Sequence, residues 1–493
     1  MTVPRTGPCS FVAAATISAV LVGFLLLLSC RLQRASVNEQ ALSVSVYCNA
    51  AMALLAFSLV YTDSDSLTQE LGYSKEDSGL IVSVAAVGCA VGGVIGWMIL
   101  HLRPELYRSQ TRTIMLTCSF VSMIATIPYV FISADPNKDS SWQWPVLLAS
   151  RGLQGLADGV AYFLVELSVM RLTPCDQLPG QFVWLGRVLT LALGLGPLIA
   201  ASSQELEGLY SAHSSPSFLT VGLMQFMLYF VGAIGMLTML PSWDKTNIYD
   251  DEDSSETLVP EIVSSTYNPY RRRVVLIGGL ICGLFRAYTV AGLEVVTAQL
   301  LEDEYGWDVR VIGLTIGGTF CMSFLTAELF RDGFSSDWIV YMLMLLCLFG
   351  SALVFTETCG LVSMSHSQCP ILLVSSDVVV FSVLYNAEAV IRGITMSQIV
   401  PGSFFNAQNM TLCYAVLTDG LGRFLGPFVG RHLASQSQSA YAMQQMILII
   451  GVFLSGILVL THKQAEDAQA TVEHGRGNHQ ILNEKSRLNT FTA

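Results

Sequence analysis

Thirteen apolar stretches, each close to the ~20 residues that carry a helix across a bilayer, constrain this 493-residue chain more than any other feature. They run over 10–30, 41–61, 78–101, 112–133, 145–172, 180–201, 217–240, 273–301, 310–330, 338–357, 370–400, 406–431 and 440–461. A soluble core has no room for so many apolar runs. Charged residues make up 13% of the chain, against about 25% in an ordinary soluble domain. This composition argues against a disordered chain, a nucleic-acid binder and a water-soluble enzyme. Apolar and polar residues do not alternate in ~10-residue segments, so a β-barrel is not expected. The expected class is an all-α integral membrane protein.

The spacing of the stretches divides the chain. An N-terminal anchor and its flank occupy 1–40, six-helix bundles occupy 41–240 and 273–461, a linker fills 241–272, and a polar tail runs over 462–493. The core of 10–30 is longer than a secretory h-region, and Arg31 and Arg34 follow it as a stop-transfer flank, so it reads as an uncleaved anchor. Within the linker, residues 244–261 hold Asp244, Asp250, Asp251, Glu252, Asp253, Glu256 and Glu261 against Lys245 alone. That is half of the net charge of −12, so the negative total says nothing of a substrate's sign. With the linker placed in the cytoplasm, basic flanks such as Arg103, Arg108, Arg112, Arg271, Arg272, Arg273 and Lys463 fall inside. Only Arg5, Lys75, Lys138, Arg310 and Arg431 fall outside. The positive-inside rule then sets the C-terminus in the cytoplasm.

An ionisable residue within a span costs about 2.5–3.5 kcal/mol on the insertion scale and normally faces a partner or a wet cavity. Eleven fall in this category: Arg151, Asp158, Glu166, Arg187, Arg286, Glu294, Asp377, Glu388, Arg392, Asp419 and Arg423. Five arginines and six acids nearly balance, which predicts internal pairing rather than a pore of one sign. Arg151 and Asp158 stand seven apart on one helix face with Gln154 between them, and Arg286 and Glu294 stand eight apart. Glu388–Arg392 and Asp419–Arg423 have the i,i+4 spacing of pairs within one helix. Arg187, near a span end, is expected to snorkel.

Glycine and proline recur at matching depths, as Gly194-Leu195-Gly196-Pro197 in the fifth helix and Gly422-Arg423-Phe424-Leu425-Gly426-Pro427 in the eleventh. Small residues permit close packing and proline permits a bend. The same motif in corresponding helices of two six-helix halves signals a repeat-built transporter.

On these residues the chain resembles the major facilitator superfamily over about 41–461. Arg151-x-x-Gln154-Gly155 is similar to its fourth-helix signature, whose arginine the resemblance links with proton coupling, and the fifth-helix Gly-Pro is similar to its antiporter-type motif. In the loop after the second helix, Gly96-Trp97-Met98-Ile99-Leu100 places leucine where the family's signature carries an acid. Within the superfamily the chain resembles, more loosely, the branch of SPX-domain vacuolar phosphate transporters and lysosomal relatives. The residues carrying this are Asn49 with Asp63 and Asp65, Glu294 with Tyr305-Gly306-Trp307, and Glu388 with Gly402-Ser403-Phe404-Phe405-Asn406 and Asp419-Gly420. The SPX domain itself is missing.

The resemblance implies the MFS fold: two six-helix halves, twelve spans, here with an extra N-terminal helix. It further implies a monomer that moves a small solute by alternating access, an anion such as phosphate, coupled to protons, in a vacuolar or lysosomal membrane rather than the plasma membrane. Expected site residues are Asn49, Arg151, Gln154, Asp158, Glu166, Arg286, Glu294, Asp377 and Glu388. Conformational roles fall to Gly155, Gly194, Gly196, Pro197, Asp419, Gly422, Arg423, Gly426 and Pro427. Passive anion conduction and a non-transporting sensor or scaffold are the competing readings. The chain has no zinc-protease, Gly-x-Ser-x-Gly or P-loop signature and seven scattered histidines. It is therefore not expected to be an enzyme, to bind nucleic acid, or to need a metal or cofactor. Cys359 and Cys369 share one outside loop and are candidates for a disulfide.

Overall fold

The structure, a computed structural model, describes residues 37–61, 63–137, 140–172, 178–210, 218–239, 268–329, 337–399 and 402–463. The anchor at 10–30, the tail beyond Lys463 and nearly all of the linker lie outside the described residues. Those residues form helices α1 (Val37–Ser58), α2 (Ser78–Leu102), α3 (Pro104–Ala134), α4 (Gln143–Leu172), α5 (Leu178–Tyr210) and α6 (Leu219–Met239). After the linker come α7 (Pro269–Asp303), α8 (Val309–Leu329), α9 (Asp337–Ala352) and α10 (Cys369–Ser397). Helix α11 is a composite: α-helical over Ala407–Tyr414, π-helical over Ala415–Gly422 and α-helical again over Arg423–Gln436. Helix α12 covers Gln438–Lys463. Eight of these are long and apolar enough to cross a membrane. Among the described residues no strand is present.

Helix ends follow local chemistry. Pro269 begins α7 because the side chain of Asn268 accepts from the amides of Tyr270 (3.0 Å) and Arg271 (3.5 Å), satisfying donors that a first turn otherwise leaves orphaned. The helix thus begins at Pro269, within the stretch 241–272 read as linker. At the end of α1 the hydroxyl of Ser58 turns back on the carbonyl of Leu55 (3.1 Å), and the helix stops short of the expected 61. Asn406 caps α11 by accepting from the amide of Asn409 (2.9 Å).

Glycines set how the helices cross. A side-chain carbon on Gly155 or Gly159 of α4 would meet the carbonyls of Ala85 or Cys89 on α2, and one on Gly88 or Gly92 of α2 would meet α4 at Gly152 or Leu156. The two backbones therefore touch directly. Gly196 of α5 seats against Ser58 of α1, and Gly426 of α11 against Tyr288 and Gly292 of α7, so the paired motifs meet matching partners six helices apart. Gly194 faces Phe320 of α8 while Gly420 faces Ala90 of α2. These are the two seams, α5–α8 and α11–α2, where helices α1–α6 meet helices α7–α12. Large apolar residues such as Phe131, Phe349 and Leu454 stay exposed at 69%, 66% and 60%, an outer face that hydrocarbon solvates and water does not.

Candidate functional site

Between the two groups of helices lies a small cavity of about 40 Å³. Tyr162 of α4 and Phe182, Leu185, Gly186 and Leu189 of α5 line one side; Arg286 of α7, Tyr385, Glu388, Ala389 and Arg392 of α10, and Asp419 and Arg423 of α11 line the other. Residues from both sides of the seam thus share one space.

The charged groups pair around it. Arg286 meets Glu388 at 3.2 Å, and its guanidinium lies 5.5 Å from the Tyr385 ring centre. Arg392 pairs with Glu166 of α4 across the seam and sits over the Tyr414 ring at 4.2 Å. Arg423 faces Asp419 at 3.8 Å. Of the two intrahelical pairs expected from i,i+4 spacing, only Asp419–Arg423 forms. Glu388 and Arg392 each find a partner on another helix instead, because α10 is packed between neighbours that offer an opposite charge with better reach. Arg187 is 6% exposed and so is buried rather than snorkelling; α5 packs against α10 at that level through Gly186 and Ala389.

A second polar chain runs inside α1–α6. Arg151 is fully buried, donates to the Ile81 carbonyl (3.4 Å) and to the side chain of Gln154, and lies over Phe57. Gln154 donates to the Tyr229 hydroxyl (2.7 Å), and that hydroxyl and Ser122 (2.7 Å) both donate to Asp158. Arg151 and Asp158 share a face as the spacing predicts, but Gln154 and Tyr229 carry the connection between them. On the other side, Tyr385 donates to Glu294 (2.9 Å), with the Tyr61 hydroxyl also beside that carboxylate. Asp377 is buried beside Thr297. Asn49 donates to the Met236 sulfur (3.2 Å) and does not line the cavity. The cavity therefore gathers Arg286, Glu388, Asp419 and Arg423, with Glu166 bound to its wall; Arg151, Gln154, Asp158, Glu294, Asp377 and Asn49 lie outside that lining.

Contacts across the seam tie both ends. At the first, Arg431 pairs with Asp65, which also accepts from Ser78, and Arg431 reaches Ser64 at 3.4 Å. Arg431, expected as a flanking charge, is fully buried. At the other end the Trp97 indole donates to the Asn409 side chain (2.9 Å). This contact joins α2 to α11 close to Leu100, the leucine that stands where the resemblance places an acid. The residues that spacing did not single out are mostly aromatic (Tyr61, Tyr162, Phe182, Tyr229 and Tyr385), because nothing in an apolar run marks which rings face inward. Cys359 and Cys369 form a disulfide with Cα atoms 5.8 Å apart, and among the described residues no cluster of metal ligands occurs.

A family model described as Major Facilitator Superfamily matches residues 46–427. The structure is similar to that of the human organic anion transporter MFSD10 (TETRAN), at 17% identity and a TM-score of 0.53 over 85% of this chain and 99% of that one. It is similar to the proton:xylose symporter XylE, known from E. coli, at 13% identity and a TM-score of 0.58 over 86% and 96%. A bacterial homologue of the iron transporter ferroportin aligns at 11% identity and a TM-score of 0.56 over 85% and 99%. No curated protein matches the chain in sequence.

Proposed function

Since the chain belongs to the Major Facilitator Superfamily, a family of multi-pass membrane transporters and not of enzymes, we propose that it is a secondary transporter carrying a small solute by alternating access. The observation that carries this reading is the shared cavity: its lining comes from both sides of the seam, so rocking one group of helices against the other would open it to one face of the membrane at a time.

In this reading α1 to α12 are twelve spans, joined as two six-helix halves by the acidic cytoplasmic linker, with residues 10–30 as an additional anchor. The C-terminus is cytoplasmic by the basic-residue bias, and the membrane is vacuolar or lysosomal by the branch resemblance. The monomer suffices, because the cavity is built within one chain.

Protons are the proposed coupling ion. Asp158 and Glu294 are each held by hydroxyl groups, and Ser and Tyr hydroxyls can donate to a carboxylate or accept from a carboxylic acid. Either protonation state can therefore be accommodated without breaking an ion pair. An anionic group of the solute, of the kind phosphate carries, would be held by Arg286, Arg392 and Arg423, the three guanidinium groups of the cavity. The organic-anion and proton-symport descriptions of the two similar structures are compatible with both assignments.

Accumulation in proteoliposomes tests the mechanism. A coupled transporter concentrates its solute against a gradient when a pH gradient is imposed, and Glu294→Gln loses that accumulation while retaining exchange. Uptake that only ever equilibrates would favour passive conduction. Undiminished accumulation by E294Q would remove Glu294 from coupling.

A further inference from the structure

Resting on the transport reading above, we propose that the transported solute is a small zwitterion with an apolar body, its anionic end held by guanidinium groups and its ammonium end by carboxylates of the same cavity. The first ion pair of the cavity leaves one buried atom of each kind without a hydrogen-bond partner in the protein, the second leaves a donor and the third an acceptor. Arg286 and Glu388 meet through Nη2 and Oε2, leaving Arg286 Nε and Glu388 Oε1. Arg392 meets Glu166 through Nη2, leaving Arg392 Nε, and Asp419 meets Arg423 through Oδ1, leaving Asp419 Oδ2. The wall thus offers strong donors and strong acceptors together.

Charge arithmetic narrows the class. The arginines Arg286, Arg392 and Arg423 are opposed one to one by Glu388, Glu166 and Asp419. A lone anion entering this set meets no positive excess, and a lone cation meets no negative excess. A neutral polyol could use the same donors and acceptors, but burying ion pairs carries a desolvation cost that recognition of hydroxyls does not require. A zwitterion adds no net charge and supplies what both kinds of unpaired atom lack, a carboxylate for the N–H groups and an ammonium for the oxygens. The rest of the lining is aromatic and aliphatic, Tyr162, Phe182, Leu185 and Leu189 on the α4–α5 side, which suits an apolar body facing away from the charges. The space of about 40 Å³ is closed down around these groups, and rocking of the two groups of helices would widen it for the solute.

The full-length protein in proteoliposomes is offered four labelled probes: phenylalanine as an α-amino acid, 3-phenylpropionate as the same body without the amine, inorganic phosphate, and xylose. Phenylalanine is expected to be taken up, with 3-phenylpropionate slower by about a hundredfold, since losing the ammonium leaves buried carboxylate oxygens unpaired. Asp419→Asn is expected to narrow that gap by slowing phenylalanine alone, and Glu388→Gln to do the same. Uptake of 3-phenylpropionate, phosphate or xylose at a rate equal to or above that of phenylalanine overturns the zwitterion assignment and leaves transport standing. No flux of any of the four, under a pH gradient or by counterflow, overturns the assignment together with the transport reading.

Discussion

Glu166 and Arg392 show how much can hang on one residue of a buried pair. Glu166 is 1% exposed and Arg392 is 5%, so removing one partner strands the other charge away from water. Glu166→Gln should lower stability by about 3–5 kcal/mol, whereas Glu166→Leu combined with Arg392→Met should cost less, since a well-packed apolar pair can replace a buried ion pair. Thermal melting in detergent compares them; equal or greater loss in the double variant would show that the pair stabilises through more than mutual neutralisation. Tyr229→Phe probes the other chain. It removes the link between Gln154 and Asp158, an unsatisfied buried group costing about 1–3 kcal/mol, and the same melt reads it. Much of this level was illegible in the sequence. The charged residues themselves stand out against apolar runs, but their partners do not. Glu388 has Arg392 four residues away and pairs with Arg286 about a hundred residues away, a choice made by helix packing that no spacing rule contains.

Helices were legible because their cause is local. A run of apolar residues long enough to span hydrocarbon is read directly, and Asn268 and Asn406 mark helix starts by ordinary capping chemistry. Expected and observed boundaries of most helices agree within a few residues, with the start of α3 at Pro104, against 112, and the end of α5 at Tyr210, against 201, the main departures. The paired Gly-Pro motifs lie where helices approach closely, α5 against α1 and α11 against α7, because close approach leaves a mark in sequence as the absence of side chains. What sequence could not give was the neighbour: Gly155 was singled out with Arg151, but its role is contact with the Ala85 carbonyl of α2. Gly155→Ala should therefore push α2 and α4 apart and cost about 1–3 kcal/mol of stability. Gly318→Ala in α8, where the added carbon would meet nothing within 4 Å, should be neutral or stabilising by about 0.5–1 kcal/mol through helix propensity. Melting temperatures of the two variants check the contrast, and equal behaviour would contradict direct backbone contact at α2–α4.

At the scale of the whole molecule, the seam is tied at both ends. The Asp65–Arg431 pair joins positions 366 residues apart, which is why neither residue could be recognised as more than a polar loop or a flanking charge. Trp97–Asn409 does the same at the other end. If transport requires the ends to part in turn, a bismaleimide cross-link between Asp65→Cys and Arg431→Cys should abolish flux, and so should one between Trp97→Cys and Asn409→Cys. Each single-cysteine variant under the same treatment is the control. Full flux through a fully cross-linked protein would rule out rocking about this seam.

Both ties end on one helix. Asn409 stands in the first turn of α11 and Arg431 near its last, while Asp419 and Arg423 stand between them, at the π-helical stretch Ala415–Gly422. The helix is thus a lever whose fulcrum coincides with its load. A solute that draws on Asp419 acts where the bar is already loosened, so one arm can swing free while the other stays pinned. Spin labels placed on α2 and on either arm of α11 should then report distances that change in opposite senses. The signal that the cavity is filled would need no separate messenger to reach the doors.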